Sequence, residues 1–481
     1  MSVSEDLKHK IRSQSQNAVV KDPDAEGEKD LKTKIALPAV IDAKIIGQID
    51  QSAEVLVIAR FNEDHFVSVE GGRTLVFRED FDHELNTSKL THMTPKSFHD
   101  LHANETVFTA SGERPISKVW WHSSKRRTYT SGFALLPGDK APDSVYNLWT
   151  GFGCDPETDV TLFEARLAFW HLKYVICDGD KLAFRYLVAW LARAAQYPDL
   201  PAEVATVLLG GQGSGKSTLG RWFCDLFGSH GKHIQQTRHL VGNFNAHLRT
   251  ALALFVDEAF FAGDKAGANI LKALVTENCI AIEQKGMDVV TARNRLKIMM
   301  ATNSVHAIRA AGDERRFFVV SVSNCKKQDH EYFAKLHRWW GSGGKEKLLG
   351  ALLNYNLDGF NVRKVPNTGA LEDQKLHSLE PLDAWLFDML QDAENWKPEH
   401  TRKTWNYKFI DYCTAHNYRF EKTSSRAVGS GLRKRLIVTS GRQSGGFGNG
   451  RERTWVLPEI DDARAQFTDS LGLKILTWDD G

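Results

Sequence analysis

Apolar residues change their spacing several times along the chain, and each change marks a different kind of element. From Ile45 to about Phe152 they fall in short alternating runs: VLVIARF, HFVSVEG, RTLVFRE, KVWWHSS and RTYTSGFALL. Turn residues such as Gly71-Gly72 separate the runs. Period-two alternation predicts a strand-rich domain over residues 45–155. The spacing then switches to three and four in LFEARLAFWHLKYVI and KLAFRYLVAWLARAAQ, broken at Cys177-Asp-Gly-Asp180, which predicts a helical hairpin or collar over 156–200. Residues 201–325 alternate buried strands with helices, the pattern of an α/β domain. EVATVLLG, TALALFVDE, RLKIMMATN and RRFFVVSVS are its strands, KSTLGRWFCDLFG and DKAGANILKALVTE its helices. CIAIEQ and residues 288–293 form a hairpin around Lys285-Gly286. A helical connector follows over 326–375. Residues 376–460 carry three helical patterns and then a hairpin, the order of a winged helix. Residues 1–44 and 461–481 read as tails, the first polar and without period.

Composition narrows the class. The 481 residues are 42% hydrophobic and 25% charged, which excludes a wholly disordered or fibrous chain. No run of about 18 apolar residues occurs, so no membrane span is expected. The first residues lack the apolar core of a secretory signal, which points to the cytoplasm, that of a bacterial host for the reading below. Six cysteines, Cys154, Cys177, Cys224, Cys279, Cys325 and Cys413, form no C-x-x-C pair and read as buried, reduced thiols. The formal net charge of +2 decides nothing. Between Arg402 and Arg453, however, twelve basic residues face three acids, a local balance of +9. Such clustering is an electrostatic footprint for nucleic acid.

The strongest chemical signal is Gly210-Gly211-Gln212-Gly213-Ser214-Gly215-Lys216-Ser217-Thr218, which fits G-x-x-x-x-G-K-[ST] between an apolar strand and a helix. Glycines let backbone N–H groups wrap phosphate, and the helix adds its positive end. Lys216 would reach the β- and γ-phosphates of ATP, and Ser217 would bind Mg²⁺. The buried strand ending in Asp257-Glu258 puts two carboxylates at the carboxyl edge of the sheet. Asp257 would join the Mg²⁺ shell and Glu258 would polarise the attacking water. Asn303, ending Met299-Met-Ala-Thr, suits a γ-phosphate sensor. Arg315 and Arg316, before the next strand, suit a finger reaching a neighbouring subunit's nucleotide; a surface salt bridge to Asp313 or Glu314 is the alternative.

Together GGQGSGKS, ALALFVDE, the Lys-Gly hairpin, MMATN and DERRF resemble the superfamily 3 helicases, most closely the phage and plasmid primase-helicase type related to the poxvirus branch. YNLWTGF, Tyr146–Phe152, is similar to the same group. The resemblance covers residues 140–325. It implies a multidomain α/β protein with an AAA+-like P-loop ATPase core, a strand-rich N-terminal domain, a helical segment and a C-terminal winged helix. It implies a homo-oligomeric ring, usually a hexamer, acting as an ATP-dependent replicative helicase on single-stranded or forked DNA, with a separate primase or polymerase as partner. Lys285, at the tip of the family's DNA hairpin, would contact phosphate. The alternative is a non-unwinding initiator ATPase that uses nucleotide as a switch.

In the winged helix, Arg426, Arg433, Lys434 and Arg435 would lie on the recognition helix, and Arg442 and Arg451 on the wing, as DNA contacts. Three weaker constellations are read structurally. Asp80-Phe81-Asp82 could hold a metal as in a primase, but fits a polar loop. His92, His99 and His102 lack partners of zinc spacing. Trp120-Trp121-His122 before Lys125-Arg126-Arg127 fits a core strand followed by a charged turn, rather than a stacking platform.

Overall fold

The computed structural model describes residues 43–478, except 85–86, 110–111, 139, 162, 237–239, 241, 243, 259–264, 284–288, 305–314, 419–420, 422 and 445–450. The side chains of 43–52, 87, 265, 443–444 and 451 lie outside that description too, as do the expected tail over residues 1–42 and the hairpin tip with Lys285.

The N-terminal unit opens with a helix, α1 (Ala43–Asp64), where VLVIARF had suggested a strand. Val57, Ile58 and Phe61 come round to one side and pack on the sheet, so a helical period was hidden in an apolar-rich run. The sheet follows: β1 (His65–Glu70), β2 (Arg73–Asp82) and β3 (Thr87–Met93) are antiparallel neighbours. Helix α2 (Pro95–Leu101) leads to a ribbon of β4 (Thr106–Thr109) and β5 (Gly112–Pro115). KVWWHSS, expected as a strand, is helix α3 (Ile116–His122). Ile116, Val119 and Trp120 are buried at i, i+3 and i+4. Strand β6 (Thr128–Tyr129) pairs parallel with β1, and β7 (Phe133–Ala134) with β8 (Tyr146–Asn147).

The helical hairpin forms as α4 (Arg166–Trp170), which runs on as a wider π-type turn to Ile176, and α5 (Lys181–Gln196). Asp180 starts α5 by accepting from the N–H groups of Leu182 and Ala183.

The central sheet is all parallel. It contains β9 (Ala205–Leu209), then helix α6 (Lys216–Leu226), β10 (Gly231–Ile234) and β11 (Ala253–Val256). Helix α7 (Lys265–Thr276) and the hairpin β12 (Cys279–Ile282) and β13 (Val290–Arg293) come next, then β14 (Lys297–Thr302) and β15 (Phe317–Ser321). The spatial order is β10-β11-β14-β9-β15. Strand β10 carries a single fully buried side chain, Ile234, so no apolar run announced it. Alternate residues feed two cores. Phe255, Met299 and Phe318 face the hairpin helices; Leu254, Ile298 and Val319 face α7. Strands covered on both faces explain the continuous apolar runs.

Helices α8 (His330–Trp339), α9 (Lys345–Leu353) and α10 (Gly369–His377) follow. The C-terminal unit has α11 (Pro381–Gln391), β16 (Glu399–Thr401), α12 (Arg402–Ala415), α13 (Ser425–Arg435) and the pair β17 (Thr439–Ser444) and β18 (Arg451–Val456). Residues 461–481, expected as a tail, largely belong to this unit: α14 (Ile460–Leu471) buries Ala463, Phe467 and Leu471 in its core. The thiols of Cys279 and Cys325 are exposed and Cys154 is half-buried, so only Cys177, Cys224 and Cys413 match the expected burial. Among the described residues no helix is long and apolar enough to cross a membrane.

Candidate functional site

Residues 210–215 link the carboxyl end of β9 to the start of α6, at the edge where β11 and β14 also end. The loop needs glycine at 215 for two reasons. Its φ is +104°, and a Cβ there would lie 2.8 Å from His171 Cε1. Lys216 turns back into the loop. Its ammonium donates to the carbonyls of Gly210 (2.6 Å) and Gly211 (2.7 Å) and to Oδ1 of Asn303 (2.9 Å). Burial pulls the Lys216 pKa below its ordinary value; Asp257 opposes that shift and Lys327 adds to it.

The Ser217 hydroxyl donates to Asp257 Oδ2 at 2.9 Å. Asp257 follows β11 directly, and His233 Nε2 on β10 lies 3.8 Å from the same oxygen. Glu258 is exposed and sits in the left-handed region at φ +56°, rare for a residue with a side chain. This turn leaves it lining a cleft of about 400 Å³ with Gln212 to Thr218, Asp257, Thr302 and Asn303. Backbone strain of this kind concentrates at functional sites. One hydroxyl and one carboxylate side by side are hard oxygen donors, the set Mg²⁺ uses when phosphates and water complete its shell. The pair therefore fits the ion.

The remaining wall went unread in the sequence. Gln328, His330, Phe333 and His337 line the cleft from the region expected as a plain helical connector. The Gln328 N–H donates to Gly213 O (3.2 Å), so the start of this segment crosses the loop. His171, from the helical hairpin, is fully buried behind Gly215 and shares a 2.9 Å bond with the Tyr332 hydroxyl. Burial holds its pKa down to about 4. The only signal for this wall was the His330, Phe333, His337 spacing, which places three rings along one helix side.

Arg315 and Arg316 lie elsewhere. They precede β15, and the Ala205 N–H at the start of β9 donates to Arg316 O (2.8 Å). The glycine-rich loop leaves the other end of β9, roughly 16 Å along the strand at about 3.3 Å per residue. Neither arginine reaches its own chain's loop. Asp313 and Glu314 are outside the described residues, so the alternative ion pair has no structural description.

The DNA candidates divide. Arg426, Arg433 and Lys434 are exposed on α13, and Arg442 on β17. Arg433 bends back, donating to Gly429 O (3.2 Å) with its guanidinium 5.6 Å over the Trp455 ring. Arg435 must be corrected. Its guanidinium is buried against Asp383, at 2.9 and 2.6 Å, and donates to Ser470 O, so it locks α13 to α11 and α14. Arg451 begins β18 opposite Ser444.

In the N-terminal unit Asp80 and Asp82 sit on strand β2, not in a loop. They line a cleft of about 1270 Å³ facing the central domain. Asp80 accepts from the Phe81 N–H, and Asp82 pairs with Lys89 at 3.7 Å. Arg249 closes the cleft by pairing with Glu70. His99 bonds Ser117 and His102 bonds Glu105. Tyr146–Phe152 has a joining role: Trp149 stacks on His230 at 4.7 Å, and the Thr150 N–H donates to His230 Nε2 (3.0 Å). At Gly153 a Cβ would lie 1.9 Å from Asp225 O.

Residues 208–316 match the model of a family of unknown function, DUF5906. Over 186 residues, 38% of this chain, the sequence is 25% identical to the DNA primase-polymerase of Nitratiruptor phage NrS-1. That match spans 24% of the phage protein, about a quarter of its length. The apo structure of the NrS-1 C terminal region has a similar fold, with a TM-score of 0.56 at 15% identity, covering 84% of this chain and 99% of that one. Its A form gives the same score over 85% and 100%.

Proposed function

We propose that this chain is an ATP-driven motor acting on DNA during phage-type replication, a helicase in which nucleotide is hydrolysed between subunits. The observation that carries the reading is the convergence of Lys216, Ser217, Asp257, Glu258 and Asn303 on one cleft. The similarity to a phage DNA primase-polymerase supports the replication setting.

The loop amides from Gly211 to Thr218 cradle the phosphates, and Lys216 exchanges its carbonyl partners for β- and γ-phosphate oxygens. Ser217 and Asp257 would hold Mg²⁺, which would supply positive charge against the phosphates. Asn303 accepts from Lys216 through Oδ1, so its NH₂ remains to donate to the γ-phosphate or the attacking water. Glu258 takes the water's proton. Arg315 and Arg316, remote from their own loop, serve the nucleotide of the adjacent subunit in a ring. The five-stranded parallel core is then an AAA+-like ATPase domain, and α11–α14 with the β17–β18 hairpin a winged helix.

The test is strand displacement on forked DNA with ATP and Mg²⁺. Unaltered protein should unwind with ATP and fail with a non-hydrolysable analogue; Lys216→Ala should lose hydrolysis while keeping its thermal unfolding transition. Hydrolysis without unwinding would favour a nucleotide-switched initiator, and near-normal hydrolysis by Lys216→Ala would refute the site.

A further inference from the structure

We propose that the hairpin of the C-terminal unit carries a phosphate-binding cleft, built from Arg402, Arg442 and Arg453, that holds consecutive phosphates of a nucleic-acid strand. The inference rests on the DNA-acting half of the function above, and joins Arg402 and Arg453 to the wing contact expected of Arg442 in one cleft.

Strands β17 and β18 place Arg442 directly opposite Arg453. Like charges in that position destabilise an antiparallel pair. A third cation joins them. Arg402, the first residue of α12, has its guanidinium 3.5 Å from Ser440 Oγ and 5.4 Å from the centre of the Trp455 ring. Its Nε is buried and has no hydrogen-bond partner among the described residues. The three arginines, Ser440 and Gly441 enclose a cleft of about 350 Å³.

No carboxylate lines that cleft among the described residues. The acids close in sequence are turned away by the pleat, which sends successive side chains to opposite faces. Glu452 lies on the reverse face from Arg453 and pairs with Lys403 at 3.1 Å. Glu399 lies 3.9 Å from the position a Gly441 Cβ would take, again on the face away from Arg442. In the same unit Arg435 is matched by an acid of its own, Asp383. With no carboxylate lining the cleft among the described residues, the three guanidiniums suit an anion from outside. Their planar forks suit the paired oxygens of phosphate.

The cationic surface extends beyond a single ion. Trp455 carries Arg402 within 5.4 Å and Arg433 within 5.6 Å of its ring centre, which sets the cleft beside the α13 end that bears the exposed Arg433 and Lys434. A strand with regularly spaced phosphates fits that track; a free phosphate would fill only one end.

Fluorescence anisotropy of the full chain with a labelled single-stranded oligonucleotide, titrated with salt, tests this. Arg402→Ala/Arg442→Ala should weaken binding at low salt about tenfold or more. It should also make the log–log salt slope shallower by about 1.4, two contacts at about 0.7 each. Arg402→Lys/Arg442→Lys should keep the slope, because charge is retained, and lose only part of the affinity; it also serves if the alanine variant fails to unfold cooperatively. Unaltered affinity and slope in both variants would overturn the cleft while leaving the motor reading intact. No oligonucleotide binding by the unaltered chain would overturn both. Tripolyphosphate that binds the unaltered chain but not the alanine variant, with oligonucleotide affinity unchanged, would assign the cleft to free phosphate and overturn the nucleic-acid assignment.

Discussion

The glycine-rich loop of residues 210–215 and the hairpin cleft arrange their cations in opposite ways. Lys216 has four oxygen partners within the chain: the carbonyls of Gly210 and Gly211, Asn303 Oδ1 and, at 3.5 Å, Ser214 Oγ. The loop is preorganised, and its cation, although burial disfavours the charge, is already hydrogen-bonded. Arg442 and Arg453 face one another, and no acid lines their cleft among the described residues. Their arrangement is unfavourable until a ligand neutralises it. The first suits a site where chemistry demands fixed positions; the second suits a surface that must grip and release a strand.

If core charges are fixed for catalysis, removing them should be very costly to rate. The largest effect is expected for the arginines before β15. Arg315→Ala or Arg316→Ala should lower ATP turnover by about 10³–10⁵-fold while sparing ATP binding. Mixing the affected variant with Glu258→Gln should restore part of the activity, since a mixed interface regains one intact site. No recovery in confirmed mixed rings would remove the trans role. Glu258→Gln alone should bind nucleotide and lose about 10²–10⁴-fold in turnover. Equal turnover would reduce Glu258 to a bystander at a strained turn.

Within the C-terminal unit, two kinds of arginine can be set against each other by calorimetry. Asp383→Ala leaves Arg435 buried and unpaired, and should cost about 3–5 kcal/mol. Arg442→Ala relieves a like-charge pair and should raise stability by about 0.2–1 kcal/mol without ligand. A destabilising Arg442→Ala would mean that the hairpin arginines are structural.

The pH dependence of stability sharpens the core side and should be intermediate in size. His230 donates Nδ1–H to Thr250 O and accepts from the Thr150 N–H, so both ring nitrogens are satisfied only when it is neutral. Burial holds its pKa down to about 4. The unfolded chain takes up this proton near the ordinary value of about 6.5, before the folded chain does. Stability should therefore be complete above that pH, fall by up to a few kcal/mol as pH drops towards 4, and then level off. His230→Gln should flatten part of the slope; an unchanged profile would place the titration elsewhere.

Much of the central domain could be read from residue order alone. Its glycine-rich loop depends on local backbone conformation, so Gly213, Gly215 and Lys216 announce it by spacing. Its strands are covered on both faces, so ALALFVDE and RLKIMMATN read as unbroken apolar runs. The same reasoning misassigned VLVIARF and KVWWHSS, because short apolar runs fit a strand or one face of a helix, and packing on the N-terminal sheet decided between them. It also missed β10, whose single buried side chain, Ile234, gives no pattern.

Tertiary structure alone decided which distant residues meet. Phe333 and His337 face a loop more than a hundred positions earlier, and Arg435 is neutralised by Asp383 from another helix. Arg442 and Arg453 stand opposed only because of the hairpin register. A run of basic residues fixes how much charge a segment carries. Whether a given cation is spent on an internal acid or left for a ligand depends on strand register and helix packing, which composition and spacing do not encode.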